Sequence, residues 1–215
     1  MTTEDNLTTR LIRVKDLPKV AALHQRAFAD SALSKLGSEP LRRYYEWQLT
    51  GPHDCYAIGI FDNANSLLGF CFSGVFHGSL SGFLNKNRNF LVFWMFAHPW
   101  LINNQIVMDR IKIALNIFRK KPSKKQPIKQ EQTRSFGVLS IAVDPERQGL
   151  GIGKIIMESV EMEALMKGFT QMNLTVHPSN HGAIAFYENL GWIKVNNESD
   201  NWTGSMIKPL SPHYG

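Results

Sequence analysis

The sequence has few cysteines and no spacing typical of a disulfide-built or metal-built protein. Cys55 and Cys71 are the two cysteines among 215 residues, and both lie in apolar, strand-like stretches without CxxC spacing. This pattern is typical of reduced core thiols in a cytoplasmic protein, with a disulfide or a catalytic thiol as the alternative. We therefore predict a cytoplasmic protein without a bound metal.

Long apolar runs are also missing. The aromatic run Phe90–Ala97 has eight apolar residues and ends at His98 and Pro99, whereas about 20 are needed to cross a bilayer. Residues 1–10 are polar and lack the apolar core of a signal peptide. We expect no transmembrane segment. The aromatic run can instead lie on a membrane surface or line a substrate pocket.

Acidic residues are scarce in one tract, residues 119–134. It contains seven basic residues and one acid, Glu131, so its surplus equals the net charge of +6 of the whole chain. The composition predicts a mobile, solvated tract, with weak attraction to an anionic surface or substrate as the alternative. Because no aromatic residues interleave with the charges between Lys120 and Arg134, we predict no nucleic-acid partner.

The rest of the sequence alternates between strand-like and helix-like patterns. This alternation predicts an α/β fold around a mixed central sheet, in one domain over residues 1–215. Predicted helices follow Asp16 and Ser38. Strands are predicted over residues 11–14, 55–61, 66–76, 136–143, 172–176, 193–195 and 203–207. Two further helices are predicted over residues 148–167 and 180–190.

The predicted strands over residues 55–61 and 66–76 form a hairpin, and an insertion over about residues 77–133 separates this hairpin from the C-terminal elements. It contains a loop rich in glycine, serine and asparagine, then the aromatic run and a helix-like stretch over residues 106–118. The insertion ends in the basic tract 119–134. Its aromatic content favours a small-molecule, amphiphilic or sugar-linked acceptor over an extended protein tail.

The most informative motif is a glycine-rich turn between a predicted strand and a predicted helix. The strand ends at Val143, and glycines follow at positions 149, 151 and 153. A helix start exposes unpaired amides and a partial positive charge, which suits a phosphate or pyrophosphate. Glycines let an anion approach those amides, although close strand–helix packing is an alternative reason for them.

Other glycine motifs do not fit. The chain has GxGxG followed by Lys154, not the GxGxxG of a dinucleotide site, and the next predicted strand supplies no carboxylate for a ribose. The P-loop pattern GxxxxGK[ST] and the hydrolase pattern GxSxG are both absent.

Two motifs together resemble the GNAT superfamily of N-acetyltransferases. Its acyl-CoA motif Q/R-x-x-G-x-G/A is matched by Gln148, Gly151 and Gly153. Its second signature, an asparagine seven residues before a tyrosine in a helix that ends in Leu-Gly-Phe/Trp, is matched by Asn180, Tyr187 and 190–192. The resemblance covers residues 136–207 closely and the first 76 residues in outline, and it implies a GNAT-like fold with the insertion before the glycine-motif strand.

The resemblance also implies roles for individual residues. Acetyl-CoA would be the co-substrate, with Tyr187 near the thioester sulfur as general acid and Asn180 hydrogen-bonded to the pantetheine or phosphate region. The pantetheine amides would pair with the strand backbone, and the pyrophosphate would bind the glycine turn. The backbone positions implied for the pantetheine amides are Ile141, Ala142 and Val143. Those implied for the pyrophosphate are Gln148, Gly149, Leu150, Gly151, Ile152, Gly153 and Lys154.

The general base is not identified by the sequence. Relatives that acetylate protein N-termini often carry a glutamate five residues before the asparagine, and Thr175 stands there. His77, His98 and His177 are candidates by residue type. We predict acetyl transfer to a primary amine of a small molecule or amino sugar. The alternatives are acetylation of a protein amine and an acyl-CoA-binding sensor without catalysis.

Overall fold

The structure is a computed structural model that describes residues 7–109, 112, 135–195 and 202–211. The basic tract 119–134 lies outside the described residues. So does the predicted helix 106–118 beyond residue 109, except residue 112. The strands are β1 Thr8–Leu11, β2 Asp54–Phe61, β3 Leu67–Val75, β4 Ser135–Val143, β5 Gln171–Thr175, β6 Ile193–Lys194 and β7 Ser205–Pro209. The helices are α1 Leu17–Ala27, α2 Ala32–Leu36, α3 Ser38–Thr50, α4 Ser79–Lys86, α5 Arg88–Ala97, α6 Ile152–Met166 and α7 His181–Asn189.

The chain groups into two compact units. The first comprises residues 1–11, 54–75 and 131–215, and the second comprises residues 12–53 and 76–130. The first unit contains all seven strands together with α6 and α7, and the second contains α1 to α5. The prediction of one domain over residues 1–215, with an insertion at 77–133, stays a prediction.

The first unit is built on a seven-stranded sheet of order β1-β2-β3-β4-β5-β7-β6. Among the described strands, β4 and β5 pair in parallel and the other neighbours pair antiparallel. A parallel pair needs a crossover connection, and α6 supplies it. The prediction of an α/β fold around a mixed sheet is confirmed.

Helix α6 covers one face of this sheet and forms the main core with it. Its buried residues Ile152, Ile156 and Val160 pack in a cluster with residues of β2 to β5. Gly69 on β3 makes the close approach possible, because a Cβ atom there would lie 2.9 Å from side-chain atoms of both Ile152 and Ile156. The packing of α6 against β3 therefore depends on the missing side chain at Gly69.

The second unit is helical and contains a buried polar network. His24 on α1 is buried, with Nδ1 2.7 Å from the Tyr45 hydroxyl and Nε2 3.2 Å from the hydroxyl of Ser31. Because the Ser31 hydroxyl donates to Ser34 Oγ, it accepts from His24 Nε2–H, and Nδ1 accepts from Tyr45. Burial lowers the pKa of His24 to about 4, so this ring is neutral and its two nitrogens are both hydrogen-bonded.

Two predictions about elements in the N-terminal half were wrong. The first strand lies at Thr8–Leu11, three residues earlier than predicted, and residues 14–16 form a 3-10 turn. The predicted loop after the hairpin contains α4, which its serines and glycines disfavour by local propensity. Tertiary contacts hold α4: the Ser79 carbonyl accepts from Trp47 Nε1 at 3.0 Å, and the Ser79 hydroxyl donates to Gln48 Oε1 at 2.8 Å.

Candidate functional site

The site begins where β4 and β5 stop pairing. Strand β5 pairs with Ser135–Val138 of β4, whereas β3 pairs with β4 as far as Val143. The register between β3 and β4 shifts at Leu139, which is an extra residue on β4. Beyond this bulge, β4 has a strand neighbour on one side. Its last residues, including the predicted Ile141, Ala142 and Val143, therefore present main-chain groups on the side away from β3.

The turn after β4 is fixed at its base. The Asp144 amide donates to the Leu68 carbonyl at 2.8 Å, and the Asp144 carboxylate accepts from the Glu146 amide at 3.2 Å. Residues 145–147 form a 3-10 turn. The Gln148 side chain lies over the strand end, with Nε2 3.5 Å from the Val143 carbonyl. The chain is thus directed from the open part of β4 into the glycine segment.

Gly149 and Gly151 adopt a left-handed backbone. Their φ angles are +80° and +79°, and a Cβ atom at either position would meet nothing within 4 Å. Gly151 is the N-cap of α6, which begins at Ile152. The prediction that the helix begins at Gln148 was wrong, because left-handed residues cannot continue a right-handed helix. Positive φ angles favour glycine at both positions. The space where a side chain would lie is open.

The start of α6 offers several amides to a ligand. The first helical hydrogen bond runs from the Ile155 amide to the Gly151 carbonyl at 3.1 Å. The amides of Ile152, Gly153 and Lys154 precede it and have no acceptor within the helix. The Lys154 side chain is exposed, with Nζ 3.8 Å from Glu158. Amides, helix dipole and lysine together favour a negatively charged group here.

Gly153 has a different role from the other two glycines. A Cβ atom there would lie 3.2 Å from the Phe186 ring and 3.6 Å from Val143. The alternative of close packing therefore applies to this glycine, which lets α6 approach α7 and β4. Phe186 was missed as a supporting residue by the sequence analysis, although it stands next to Tyr187 in the second motif.

Tyr187 lies in the core of the first unit, beside the Phe186 and Trp192 rings. Burial, with a smaller contribution from Cys71, raises its pKa, so that the phenol is protonated at neutral pH. No hydrogen-bond partner of its hydroxyl occurs among the described residues. The residue is 7% exposed.

Asn180 is the N-cap of α7. Its Oδ1 accepts from the Ala183 amide at 3.1 Å. This bond stabilises the helix start, and it orients the side chain so that the two N–H donors of the amide group remain for another partner. The structural role and the predicted ligand-binding role are therefore compatible.

The candidate bases differ in which ring nitrogen can accept a proton. Thr175 ends β5, so no carboxylate stands at the position that the resemblance singles out. Nδ1 of His177 lies 2.7 Å from the Ser179 hydroxyl, which can donate or accept, and 3.3 Å from the Ser179 amide. Nδ1 of His98 lies 2.9 Å from the Trp94 carbonyl and donates to it, which leaves Nε2 as an acceptor. His77 donates its main-chain amide to His53 Nδ1 at 3.2 Å.

Metal and membrane features are absent from the part of the chain that is described. Within residues 7–109, 112, 135–195 and 202–211, no three histidine, cysteine or acidic side chains come together as a metal site. Over the same residues, no helix is both long enough and apolar enough to span a bilayer.

The class of protein is defined by a mixed α/β sheet in which β4 loses one strand neighbour next to a glycine-rich helix start. Its open strand edge and the amides at the start of α6 are the two main-chain surfaces that the class has in common with the predicted acyl-CoA motif. A model of the acetyltransferase (GNAT) family matches residues 18–192. The chain belongs to this family, and the class predicted from its two motifs is confirmed.

Individual curated relatives match the chain over a short stretch. The [ribosomal protein bS18]-alanine N-acetyltransferase of Salmonella typhimurium is 40% identical over 55 residues, which are 26% of this chain and 37% of that protein. The chain thus matches little more than a third of the length of this curated relative. A protein of the same name from Escherichia coli K12 matches to the same extent.

Solved structures match along nearly the whole chain. The PaiA N-acetyltransferase of Thermoplasma acidophilum, in complex with coenzyme A, has a TM-score of 0.57 at 14% identity, with 95% of this chain and 99% of that chain covered. The ribosomal-protein-S18-alanine N-acetyltransferase of Escherichia coli has a TM-score of 0.55 at 18% identity, with 95% and 94% covered. At these identities the likeness shows the fold.

Proposed function

We propose that the protein transfers an acetyl group from acetyl-CoA to a primary amine. The observation that carries this proposal is the continuity of two binding surfaces, the open edge of β4 and the amides at the start of α6. The β4 backbone at Ile141–Val143 would pair with the pantetheine amides. The amides from Gly149 to Lys154 would bind the pyrophosphate, where the open space above Gly149 and Gly151 leaves room for it.

In the proposed reaction, the neutral amine attacks the thioester carbonyl in a ternary complex. A carbon–nitrogen bond forms, the carbon–sulfur bond breaks, the amine loses a proton and the departing thiolate gains one. Tyr187 is the proposed general acid. Its raised pKa keeps the phenol protonated at neutral pH, so that it can donate a hydrogen bond to the departing sulfur. Because a thiol has a pKa of about 8.5, full transfer of the phenolic proton to the thiolate is uphill, and the proton that the amine loses restores the balance.

The proposed acceptor is a small-molecule amine or an amino sugar. A protein amine is the second candidate, favoured by the likeness of a short stretch to alanine N-acetyltransferases. Against it, Thr175 stands where a glutamate base would be expected in such enzymes. A sensor that binds acyl-CoA without turnover is the remaining alternative, because the site supplies no carboxylate base at that position.

The test is release of free coenzyme A, measured with a thiol reagent, across a panel of amino sugars, polyamines, amino acids and short peptides. Binding of acetyl-CoA to the folded state should first raise the melting temperature, by mass action. Turnover with one class of amine supports the proposal and identifies the acceptor class. A shift in melting temperature without turnover on any amine supports the sensor, and the absence of any shift contradicts both.

A further inference from the structure

Helix α5 is attached to the second unit through one side. Trp94 Nε1 donates to the Leu36 carbonyl at 3.0 Å, and its ring lies against Gly37, where a Cβ atom would be 3.3 Å away. The Arg43 guanidinium lies 4.0 Å from the centroid of the Phe90 ring. His98 stacks on Trp94 with centroids 4.0 Å apart. These residues define an inner side of α5 with specific contacts.

The opposite side of α5 is apolar and exposed. Val92, Phe93 and Phe96 are 51%, 70% and 81% exposed, and Trp100, just beyond the helix, is 63% exposed. The helical residues follow one another at i, i+1 and i+4, so they form one stripe. We name these four residues the outer apolar face. Exposed large apolar side chains are ordinary when scattered, but a contiguous set of this kind marks an interaction surface.

The sequence segment that contains this face is basic. Residues 63–108 contain no aspartate or glutamate, while Lys86 ends α4 and Arg88 begins α5. Over residues 63–130 the sequence has ten basic residues and one acid, Asp109, which pairs with Lys112 at 3.1 Å. The rest of the chain has a net charge of −3. The whole positive surplus of the protein therefore belongs to the segment that contains the outer apolar face.

We infer that the outer apolar face docks on an anionic lipid membrane. A helix with an aromatic face beside basic residues is suited to lie in the interface, with the apolar side chains among the acyl chains and the basic groups at the phosphates. Trp100 suits the headgroup level, where tryptophan is enriched. A second copy of the chain fits less well, because its face would bring the same positive surplus to the contact.

The experiment is co-sedimentation of the full chain with two kinds of vesicle, phosphatidylcholine alone and phosphatidylcholine with phosphatidylglycerol. We expect binding to the phosphatidylglycerol vesicles that weakens with salt, and little binding to the neutral ones. The double variant Phe93→Ser/Phe96→Ser should lower the partition coefficient about tenfold or more. Arg88→Gln should lower it about fivefold.

The matched control is Met162→Ser/Met166→Ser. These methionines on α6 are 61% and 71% exposed, similar to the two phenylalanines, but belong to the first unit. The control should bind vesicles like the unchanged protein, and thermal unfolding should show that both double variants are folded. Equal binding to neutral and anionic vesicles, or unchanged binding by the phenylalanine variant, would overturn the inference. So would a dimer in solution that the phenylalanine variant dissociates.

Discussion

Replacement of Gly151 by aspartate tests the anion site most directly. Gly151 is the N-cap of α6, with φ of +79° and open space where a Cβ atom would lie. Aspartate is a favourable N-cap residue, but its carboxylate would occupy the space in front of the free amides. We expect a protein that folds and has lost most of its affinity for coenzyme A.

The size of the loss follows from Coulomb's law. Two unit charges about 5 Å apart repel by about 0.8 kcal/mol at the dielectric constant of water and by about 3 kcal/mol at an effective value of about 20. A pyrophosphate brings about two negative charges, so that the smaller estimate already gives about 1.7 kcal/mol. This corresponds to binding about 20-fold weaker. Left-handed strain costs stability in addition, by about 1–2 kcal/mol.

Two controls separate charge from strain. Gly151→Asn has nearly the same shape without the charge, and asparagine tolerates the left-handed region. Gly168→Asp introduces the same residue at φ of +74°, again with nothing within 4 Å, at the other end of α6. Calorimetric titration with coenzyme A should give weak binding for Gly151→Asp, and much stronger binding for both controls. Equal affinities of Gly151→Asp and Gly151→Asn, or an equal loss in Gly168→Asp, would refute the placement of the pyrophosphate.

Three further predictions concern the second motif and the helical unit. Tyr187→Phe should lower the rate of acetyl transfer by about 100-fold or more with little change in affinity for coenzyme A, as steady-state kinetics and calorimetry can show. Asn180→Ala should lose about 1 kcal/mol of stability with the cap, whereas Asn180→Asp should keep the cap and yet bind coenzyme A more weakly. Urea unfolding should show stability that is constant above pH 6.5 and falls by up to about 3 kcal/mol towards pH 4, because His24 is neutral when folded, with a pKa of about 4, and takes up a proton on unfolding.

Each of these predictions has a result that contradicts it. Unchanged turnover in Tyr187→Phe would remove the tyrosine from catalysis. Equal affinity for coenzyme A in Asn180→Asp and the unchanged protein would limit Asn180 to capping. A His24→Gln variant that keeps the full loss of stability between pH 6.5 and 4 would assign that loss to other groups.

The C-terminal third of the chain was the part most predictable from sequence. Strands β4 and β5 and helix α7 lie within one residue of their predicted bounds, because alternating burial, amphipathic spacing and terminal glycines all agree there. The start of α6 was misplaced by four residues, since a GxGxG run does not reveal which glycines have positive φ. Helix α4 was missed because contacts distant in sequence, from Trp47 and Gln48 to Ser79, stabilise it.

The proposed site has two halves, one for acetyl-CoA and one for the acceptor amine, and they can be predicted from sequence to different extents. The half proposed to bind acetyl-CoA depends on backbone geometry. The GxGxG run indicates an unusual turn there, and the structure shows which glycines have positive φ angles, namely Gly149 and Gly151, which precede the amides at the start of α6. The acceptor half depends on side chains whose ionisation is set by neighbours. Three histidines looked equivalent in the sequence, yet Nδ1 of His98 donates to a carbonyl, which leaves its Nε2 able to accept, whereas Nδ1 of His177 faces a hydroxyl that can donate or accept. Identifying the base therefore requires hydrogen-bond geometry. Acetyl-transfer rates of His98→Gln and His177→Gln across a range of pH are the measurement that follows, and loss of a pH-dependent limb in His98→Gln alone would assign the base to His98.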